Sequence, residues 1–518
     1  MKKLVKLSCI AMSAALVFGL TACNNTDDPS TPGKPGQTAG TISVHYSAGG
    51  FGKEVYNRLS DDYRALTGVT VKWLPSYKTG EIQSILQSGQ QKNDIVMPLL
   101  NMYQSQDSKM LEDLTDVYEA IPEGETVAVK DLMNKTLYEY SEARDGKRYQ
   151  MFANNSVSAF CYNIDTLNEA FGAGNWELPR TTDELITIAN QLKSKKYYAF
   201  SSSVSINYYW DYVGTVWWAQ YDGQEAYRNY YYGKYYDETS GDYKLGPQIA
   251  ETKGKKYSLE TLSTIMSGKN GYMHKLADRM GFEEAQAAFL SNGYMGDDTK
   301  CAFMVNGDWL ENEMFMWLMN NPQNIAMMRN PVISKITEKL TTVKTDAKLS
   351  EVVKAVDEGK TEVAGVSAED FARVKEARLM CYTATPNYPI GIPANRPENK
   401  KKLAKDFLVY LYSDRAQKIV ATELRGLTYP TSYVPDSSVP VSDFVRSRIE
   451  AFGSDFVPVF PVNASPMAYR GGLGDLPGVG GPDKALVGGQ TATSLLEKSK
   501  AEIAAQWDVY LKALESSN

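Results

Sequence analysis

Three short segments decide the fold: TISVHY at 41–46, VTVKWLP at 69–75 and DIVMP at 94–98. The first alternates apolar and polar residues, which is typical of a strand with one buried face. Helical patterns separate the three segments, and Gly68 is placed to end the first helix. A β-α-β-α-β order predicts parallel strands joined by right-handed crossovers. The sequence therefore predicts an α/β fold whose sheet is flanked by helices.

Strand and helix patterns continue to alternate towards the C-terminus. We predict further strands at 146–152, 157–162, 301–305 and 388–392, and helices at 182–195, 308–319, 399–413, 414–424 and 495–514. The charged segment 334–379 is expected to be a solvent-exposed insertion, and the glycine-rich segment 471–489 a surface loop.

The amino-acid composition argues against several classes of function. A length of 518 residues suits two or three globular domains, and a net charge of −7 argues against nucleic acid as a partner. The chain has only two histidines, His45 and His274, which argues against a Ser-His-Asp triad and against metal chemistry. We therefore expect no metal and no cofactor. Aromatic residues are unusually frequent in this chain, with 34 Tyr and 8 Trp.

Residues 1–22 are expected to be a lipoprotein signal peptide. A basic start precedes an apolar run at 7–20, which is too short to span a membrane comfortably. The following LTAC at 20–23 resembles a bacterial lipobox, so Cys23 is the predicted lipidation site; an ordinary cleaved signal peptide is the alternative. The segment 23–40 is rich in Pro, Gly, Thr and Asp and is predicted to be a flexible tether. We expect a folded part anchored outside the cell membrane.

Three further cysteines follow the predicted anchor: Cys161, Cys301 and Cys381. Their odd number and wide spacing match no metal-ligand pattern. Buried free thiols are the expectation, and one disulfide among them stays open.

The order and spacing of longer segments resemble the family 1 extracellular solute-binding proteins of ABC importers, of the maltose-binding-protein-like carbohydrate type. The similar segments, besides those at 41–98, are DGKRYQMFANNSVSAFCYNIDTL at 145–167, PRTTDELITIANQLK at 179–193, FMVNGDW at 303–309 and IGIPANRPENKKKLAKDFLVYLYSDRAQ at 390–417. Two features depart from the family: the chain is longer than typical relatives, and the proline expected near Met151 and Phe152 is absent.

The resemblance implies a two-lobed, periplasmic-binding-protein-like fold of type II, in which each lobe is a mostly parallel sheet flanked by helices. It places one lobe at 41–153 plus 382–428 and the other at 154–381 plus 429–518, with a hinge between them. It also implies a monomer without enzymatic activity that passes a small solute to the permease subunits of an ABC transporter. The aromatic excess favours a carbohydrate, above all an oligosaccharide; polyols, peptides and sugar phosphates stay open.

A sugar site needs aromatic faces for C–H patches and planar polar groups for hydroxyls, around a concave cleft. In a doubly wound fold, such a cleft lies beyond the carboxyl ends of the strands. The candidates at strand ends and crossovers are Tyr46, Ser47, Asn154, Asn155, Tyr388 and Tyr429. The aromatic stretch 208–218 adds Trp210, Asp211, Trp217 and Trp218, for which core packing is the alternative. The resemblance adds Trp309 as a stacking residue, with Asp308 beside it.

Two other functions compete with solute capture. A lipid-anchored glycoside hydrolase would need two carboxylates flanking a sugar bond, and no motif places such a pair. A surface glycan-binding lipoprotein without a transporter would use the same aromatic residues. Such proteins tend to be all-helical, and the strand-helix alternation at 41–98 argues against one.

Overall fold

The computed structural model describes residues 40–48, 53–99, 102–153, 156–206, 209–290, 299–383, 388–453, 456–460 and 482–515. They form two α/β lobes, each with its own sheet flanked by helices, which confirms the predicted fold class. The predicted signal peptide, Cys23 and nearly all of the tether lie outside the described residues, as do Asn154, Asn155 and residues 471–481 of the glycine-rich segment.

The first lobe is built on the segments that open the chain. Strand β1 (Gly40–Ser47) pairs in parallel with β2 (Val69–Ser76) on one side and with β3 (Ile95–Met97) on the other, as predicted. Helix α1 (Glu54–Thr67) connects β1 to β2 and ends at Gly68, whose φ of 81° is the left-handed value that glycine adopts without strain. The remaining early elements are α2 (Glu81–Gln87), α3 (Tyr103–Asp107), α4 (Thr115–Glu119), α5 (Val129–Leu132), α6 (Lys135–Tyr140) and β4 (Met151–Phe152).

The second lobe contains a larger, mixed sheet in the order β13-β11-β5-β9-β6, with β10 paired to β5. Its strands are β5 (Val157–Asn163), β6 (Tyr198–Ser201), β9 (Cys301–Gly307), β10 (Ile325–Met328), β11 (Met380–Thr383) and β13 (Val457–Val459), and a separate hairpin joins β7 (Lys234–Asp237) to β8 (Asp242–Leu245). Strand β5 is antiparallel to β9, β10 and β11, whereas a mostly parallel sheet was expected. The chain enters this lobe at the edge where β9 and β11 end, so β5 must run opposite to them.

Helices cover both faces of this sheet. They are α7 (Ile164–Phe171), α8 (Thr182–Ser194), α9 (Asp211–Asp222), α10 (Gln224–Tyr231), α11 (Lys253–Met266), α12 (Phe282–Phe289), α13 (Leu310–Glu313), α14 (Phe315–Asn320), α15 (Asp346–Asp357), α16 (Ala368–Leu379), α19 (Asp443–Phe452), α20 (Asp483–Val487) and α21 (Ala492–Glu515). The expectation of an exposed insertion at 334–379 is wrong in part, because α15 and α16 bury apolar faces that include Val352 and Val374. Their exposed faces carry charged residues such as Glu351 and Lys375, whereas Asp370 and Arg378 of α16 are buried.

The chain crosses between the lobes three times. It leaves the first lobe after β4 and returns after β11 to form β12 (Pro389–Ile390), α17 (Glu398–Leu411) and α18 (Asp414–Glu423). Strand β11 extends to Thr383, two residues past the predicted boundary, and pairs with β5 and β13. After α18 the chain stays on the first lobe as far as Ser432, whose N–H donates to the carbonyl of Leu132. The last crossing therefore lies beyond the predicted 428.

Cys161, Cys301 and Cys381 are buried and free, as predicted. Burial raises the pKa of the Cys161 and Cys381 thiols, so neither is a reactive thiolate. Within the described residues, no helix combines the length and apolar character that a membrane span requires. The same residues contain no group of three or more His, Cys, Asp or Glu side chains arranged to hold a metal ion.

Candidate ligand-binding cleft

The carboxyl edges of both sheets lie at the crossings. In the first lobe β1 and β2 end together, with Ser47 paired to Ser76, and β3 ends at Met97. In the second lobe β9 ends at Gly307, beside the start of β5. Ligands of open α/β sheets bind outside the carboxyl ends of the strands. The two edges therefore form the two walls of one candidate cleft.

A small cavity of about 20 Å³ lies at this junction. It is lined by Val55, Tyr56, Met97, Ala153, Ser156, Tyr388, Leu424, Leu427, Thr428 and Tyr429. The first two connections between the lobes contribute Ala153, Ser156 and Tyr388 to the lining, and the segment before the third connection contributes Leu427, Thr428 and Tyr429. Tyr388 and Tyr429, which the sequence offered as candidates, are among the lining residues.

Tyr388 is held in an uncommon backbone conformation, with φ of 56°. Its N–H donates to the carbonyl of Leu99 at 2.9 Å, and its carbonyl accepts the N–H of Ala153 at 3.1 Å. A non-glycine residue at positive φ is strained, and such strain is concentrated at binding sites. The two hydrogen bonds fix the ring of Tyr388 on the cavity wall.

Aromatic rings cover the first-lobe wall. Tyr46, at the end of β1, lies 4.5 Å from the ring of Tyr56, and Tyr56 stacks on Trp73 at 4.3 Å. The indole N–H of Trp73 donates to Ser60 at 2.7 Å, which fixes its orientation. The predicted Tyr46 is thus buried behind Tyr56, and Tyr56 is the ring that reaches the cavity. Ser47 is half-buried at the same edge.

The tyrosines of the cavity remain neutral. Burial raises the pKa of Tyr56 well above its ordinary value, and the nearby phenols of Tyr429, Tyr46 and Tyr388 raise it further. Burial likewise raises the pKa of Tyr388 and Tyr429. Of these tyrosines, Tyr56, Tyr388 and Tyr429 line the cavity. They present neutral donors and acceptors at the cavity.

Four further rings lie at the carboxyl edge of the second lobe, and we call Tyr209, Tyr212, Trp309 and Tyr382 the cleft aromatics. Tyr212 is central: its ring lies 4.8 Å from Tyr382, 5.5 Å from Tyr209 and 6.3 Å, edge to face, from Trp309. Trp309 is partly exposed, whereas the three tyrosines are largely buried. Trp309 therefore offers the most free ring surface of the four.

Gly307 makes room for the ring of Trp309. A Cβ atom at position 307 would lie 2.1 Å from the six-membered ring of Trp309, closer than any real contact. The ring thus lies directly against the backbone of the β9 turn. The glycine of the Asn306-Gly307-Asp308-Trp309 turn is required because a side chain would displace the tryptophan.

Asp308 points into the protein and away from the cleft. It is 2% exposed, accepts the N–H of Val157 at 3.1 Å and pairs with Arg448 at 3.3 Å. Burial raises its pKa, and the charge of Arg448 opposes that shift. The prediction that Asp308 is a ligand-binding residue does not match this geometry. Instead, Asp308 ties the first crossing to the turn that carries Trp309.

Three predicted stacking residues belong to the interior, and we call Trp210, Trp217 and Trp218 the tryptophan core. The first two are fully buried against Phe160, and each of the three indole N–H groups donates inside the lobe, to Ser202, to the carbonyl of Pro331 and to Asp222. The sequence left core packing open as the alternative for these three tryptophans, and in the structure they are packed in the core. Asp211 is half-buried at the start of α9, beside these rings.

Sequence reasoning missed several lining residues. Tyr56, Leu424 and Leu427 were not singled out. Neither was Trp73, which stacks on Tyr56 behind the lining. Tyr212 lies within the aromatic stretch 208–218, but only the tryptophans and Asp211 of that stretch were predicted to bind ligand. Its spacing of three from Tyr209 places both tyrosines on one helical face. That spacing was the available sign of a second face distinct from the tryptophans.

Comparisons with known proteins agree with this geometry. A family model described as "Bacterial extracellular solute-binding protein" matches residues 58–444. No curated protein matches the chain by sequence.

Similar solved structures share the fold over nearly the whole chain. A chitin oligosaccharide binding protein is 16% identical with a TM-score of 0.57, and the match covers 91% of this chain and 99% of that protein. A probable secreted solute-binding lipoprotein from Streptomyces coelicolor is 14% identical with a TM-score of 0.59, covering 89% and 98%. The solute-binding protein RafE in complex with raffinose is 14% identical with a TM-score of 0.56, covering 90% and 99%.

Proposed function

The chain belongs to the bacterial extracellular solute-binding proteins, and from that premise we propose that it captures a carbohydrate between its lobes and delivers it to the permease of an ABC importer. It is a binding protein and not an enzyme, as are its family and its structural neighbours. Oligosaccharides are the favoured ligands.

One feature supports a carbohydrate most directly: aromatic rings lie at the carboxyl edges of both sheets. Tyr56 lies on the first lobe, Trp309 and Tyr212 on the second, and Tyr388 and Tyr429 at the hinge. Sugar rings present C–H patches that pack on aromatic faces, while their hydroxyls need short polar groups. Ser156 and Thr428 supply hydroxyls within the cavity. Structural neighbours bind chitin oligosaccharide and raffinose, which agrees with this assignment.

Capture follows from the connections between the lobes. A ligand that touches Tyr56 on one wall and Trp309 on the other favours the conformation in which the walls approach. Two of the three crossing segments border the cavity, an arrangement suited to a hinge motion. The closed form is the one that docks on the permease in this proposal, and Cys23 keeps the protein at the membrane through its lipid.

The ligand class is tested by a thermal-shift screen of the full chain against neutral oligosaccharides, polyols and short peptides, followed by calorimetry. A bound ligand raises the melting temperature by mass action. We expect an oligosaccharide to give the largest shift. A peptide or a polyol that binds while no oligosaccharide does would overturn the carbohydrate assignment.

Transport and anchoring are tested separately. Deleting the gene should abolish uptake of the bound glycan, and Cys23→Ser should move the protein from the membrane fraction to the medium. Normal uptake in the deletion strain would favour the second candidate, a glycan-binding lipoprotein without a transporter. A Cys301→Ser variant is the matched control, because that thiol is buried in the second lobe.

A further inference from the structure

We infer that the side chains of Arg425 and Phe315 form a latch, which holds the two lobes together before a ligand arrives and must release for the ligand to enter. The inference rests on the proposed function and adds a control on access to the same site. A contact between the lobes, a strained backbone at Arg425 and the position of this segment on the cavity wall support it.

The latch joins residues of different lobes. Arg425 follows α18 on the first lobe, and Phe315 begins α14 on the second. The guanidinium carbon of Arg425 lies 4.1 Å from the centroid of the Phe315 ring, which is within the range of a cation–π contact. The ring is 38% exposed and belongs to a helix with no buried residue. Phe315 is therefore a surface residue whose described partner across the lobes is Arg425.

The backbone of the first lobe aims Arg425 at this ring. Helix α18 ends at Glu423, and Arg425 has φ of 53°, a left-handed conformation that is costly for a residue with a side chain. Such a conformation persists only where the surrounding structure holds it. Gly426 follows with φ of 100°, and its N–H donates to the carbonyl of Ala421, which closes the turn. The direction of the Arg425 side chain is thus set by a fixed turn.

Gly426 brings the same turn against the second lobe. A Cβ atom at position 426 would lie 2.5 Å from a methyl carbon of Val445 and 3.0 Å from one of Val441. Val445 belongs to α19 of the second lobe, and Val441 immediately precedes that helix. The turn that follows α18 therefore touches the second lobe twice, through the backbone of Gly426 and through the latch.

This turn is also part of the cavity wall. Leu424 and Leu427, which flank Arg425 and Gly426, both line the cavity. At about 20 Å³, the cavity has room for about one water molecule and none for a sugar ring. A sugar can therefore enter only after the wall has moved. The wall that carries Arg425 cannot leave the second lobe without breaking the latch.

The latch acts on the rates of capture and release. An exposed cation–π contact changes the ratio of closed to open protein about threefold. The contact is present in the closed form with or without ligand, so it slows entry and release by the same factor. Its loss should speed both steps equally and leave the affinity unchanged, because the two effects cancel in the ratio of the rates.

The first test needs no ligand. Spin labels at Tyr77→Cys on the first lobe and Glu283→Cys on the second, both exposed positions, report the distance between the lobes by double electron–electron resonance. The ligand-free protein should show mainly the distance of the closed form. Phe315→Ala should raise the ratio of open to closed protein about threefold. A ligand-free protein that is mainly open, or an unchanged ratio in Phe315→Ala, overturns the inference.

The second test follows binding by stopped-flow fluorescence, with the oligosaccharide that gives the largest thermal shift. Phe315→Ala and Arg425→Ala should each raise the association and dissociation rates about threefold at constant affinity. The double variant should match the single ones, since either change removes the whole contact. Met316→Ala is the matched control, because that side chain is 68% exposed on the same helix.

The two tests separate the latch from the proposed function. Rates that stay at the wild-type value in both Phe315→Ala and Arg425→Ala overturn the latch and leave glycan capture intact. If no oligosaccharide binds, the proposed function fails, and the spin-label distances of the ligand-free protein still decide whether Arg425 and Phe315 hold the lobes together.

Discussion

The tryptophan core and the cleft aromatics lie in the same lobe, and Tyr209 and Tyr212 of the second group are sequence neighbours of the first. Trp210, Trp217 and Trp218 donate their N–H groups inside the second lobe, and two of the rings are fully buried. Trp309 keeps part of its ring free, at the end of β9. Tyr212 belongs to the same helix as Trp217, yet its ring contacts Trp309. One helix thus supplies the core with one face and the cleft with another.

This difference shows that an aromatic excess does not by itself locate a sugar site. What separates the two groups is their position relative to the carboxyl edge of the sheet, where a ligand has access. The predictions below test that separation, beginning with the largest effect.

Trp217→Ala should reduce the free energy of unfolding by about 3 to 5 kcal/mol, because it leaves a large cavity and an unsatisfied carbonyl at Pro331. Denaturant titration measures the loss. The folded fraction should still bind ligand with unchanged affinity. A stable variant that has lost binding would place Trp217 in the cleft and erase the distinction between the two groups.

Trp309→Ala should weaken ligand binding about 100-fold, which corresponds to roughly 2.8 kcal/mol, through loss of a partly exposed stacking surface. Calorimetry gives the affinity and denaturant titration the stability, which should change by less than for Trp217→Ala. Trp176→Ala is the control, since that partly buried tryptophan lies in a separate pocket beside Pro179 and bonds to Asn168. Equal affinities for the two variants would contradict the assignment of Trp309.

Lys255→Met should stabilise the protein by about 2 kcal/mol at neutral pH. Lys255 is buried beneath Trp218, its Nζ 5.7 Å from the ring, and burial lowers its pKa from 10.5 to about 7. The unfolded chain takes up this proton below pH 10.5, the folded protein only below about 7.

The wild type is therefore penalised most at and below pH 7, and the penalty disappears as the pH approaches 10.5. Denaturant titrations of both proteins at about pH 6.5 and about pH 9.5 should show the advantage of the variant shrinking at the higher pH. If the variant and the wild type differed in stability by the same amount at both pH values, the buried amine of Lys255 would not be the cause of the difference.

Gly307→Ala should reduce affinity about tenfold with a small loss of stability, because the new Cβ displaces the ring of Trp309. Calorimetry tests it, with Gly359→Ala as the control: that glycine has no atom within 4 Å of an added Cβ, although its φ of 72° carries a backbone cost. Adding Gly307→Ala to Trp309→Ala should have no further effect on affinity. An additive loss would show that the glycine acts independently of the tryptophan.

The sequence by itself determined the architecture. The alternation in TISVHY, the helix ended by Gly68 and the apolar strand DIVMP specify a parallel β-α-β unit, because local periodicity and turn chemistry act over a few residues. It also indicated the strand ends and crossings where Tyr388 and Tyr429 line the cavity. The sequence also predicted three buried free thiols, because three cysteines are an odd number and their spacing matches no metal site.

Only the tertiary structure decided which aromatic residues are packed in the core and which lie at the carboxyl edge of the sheet. Trp210, Trp217 and Trp309 have the same chemistry, and whether an indole faces the cleft depends on contacts with residues far along the chain, such as Pro331 for Trp217. The same holds for Asp308, whose partner Arg448 lies more than a hundred residues away in the sequence. Because of this partner, Asp308 forms a buried ion pair and does not bind a sugar hydroxyl. Local patterns fix strands and helices, but the surface that remains open is what long-range packing leaves uncovered.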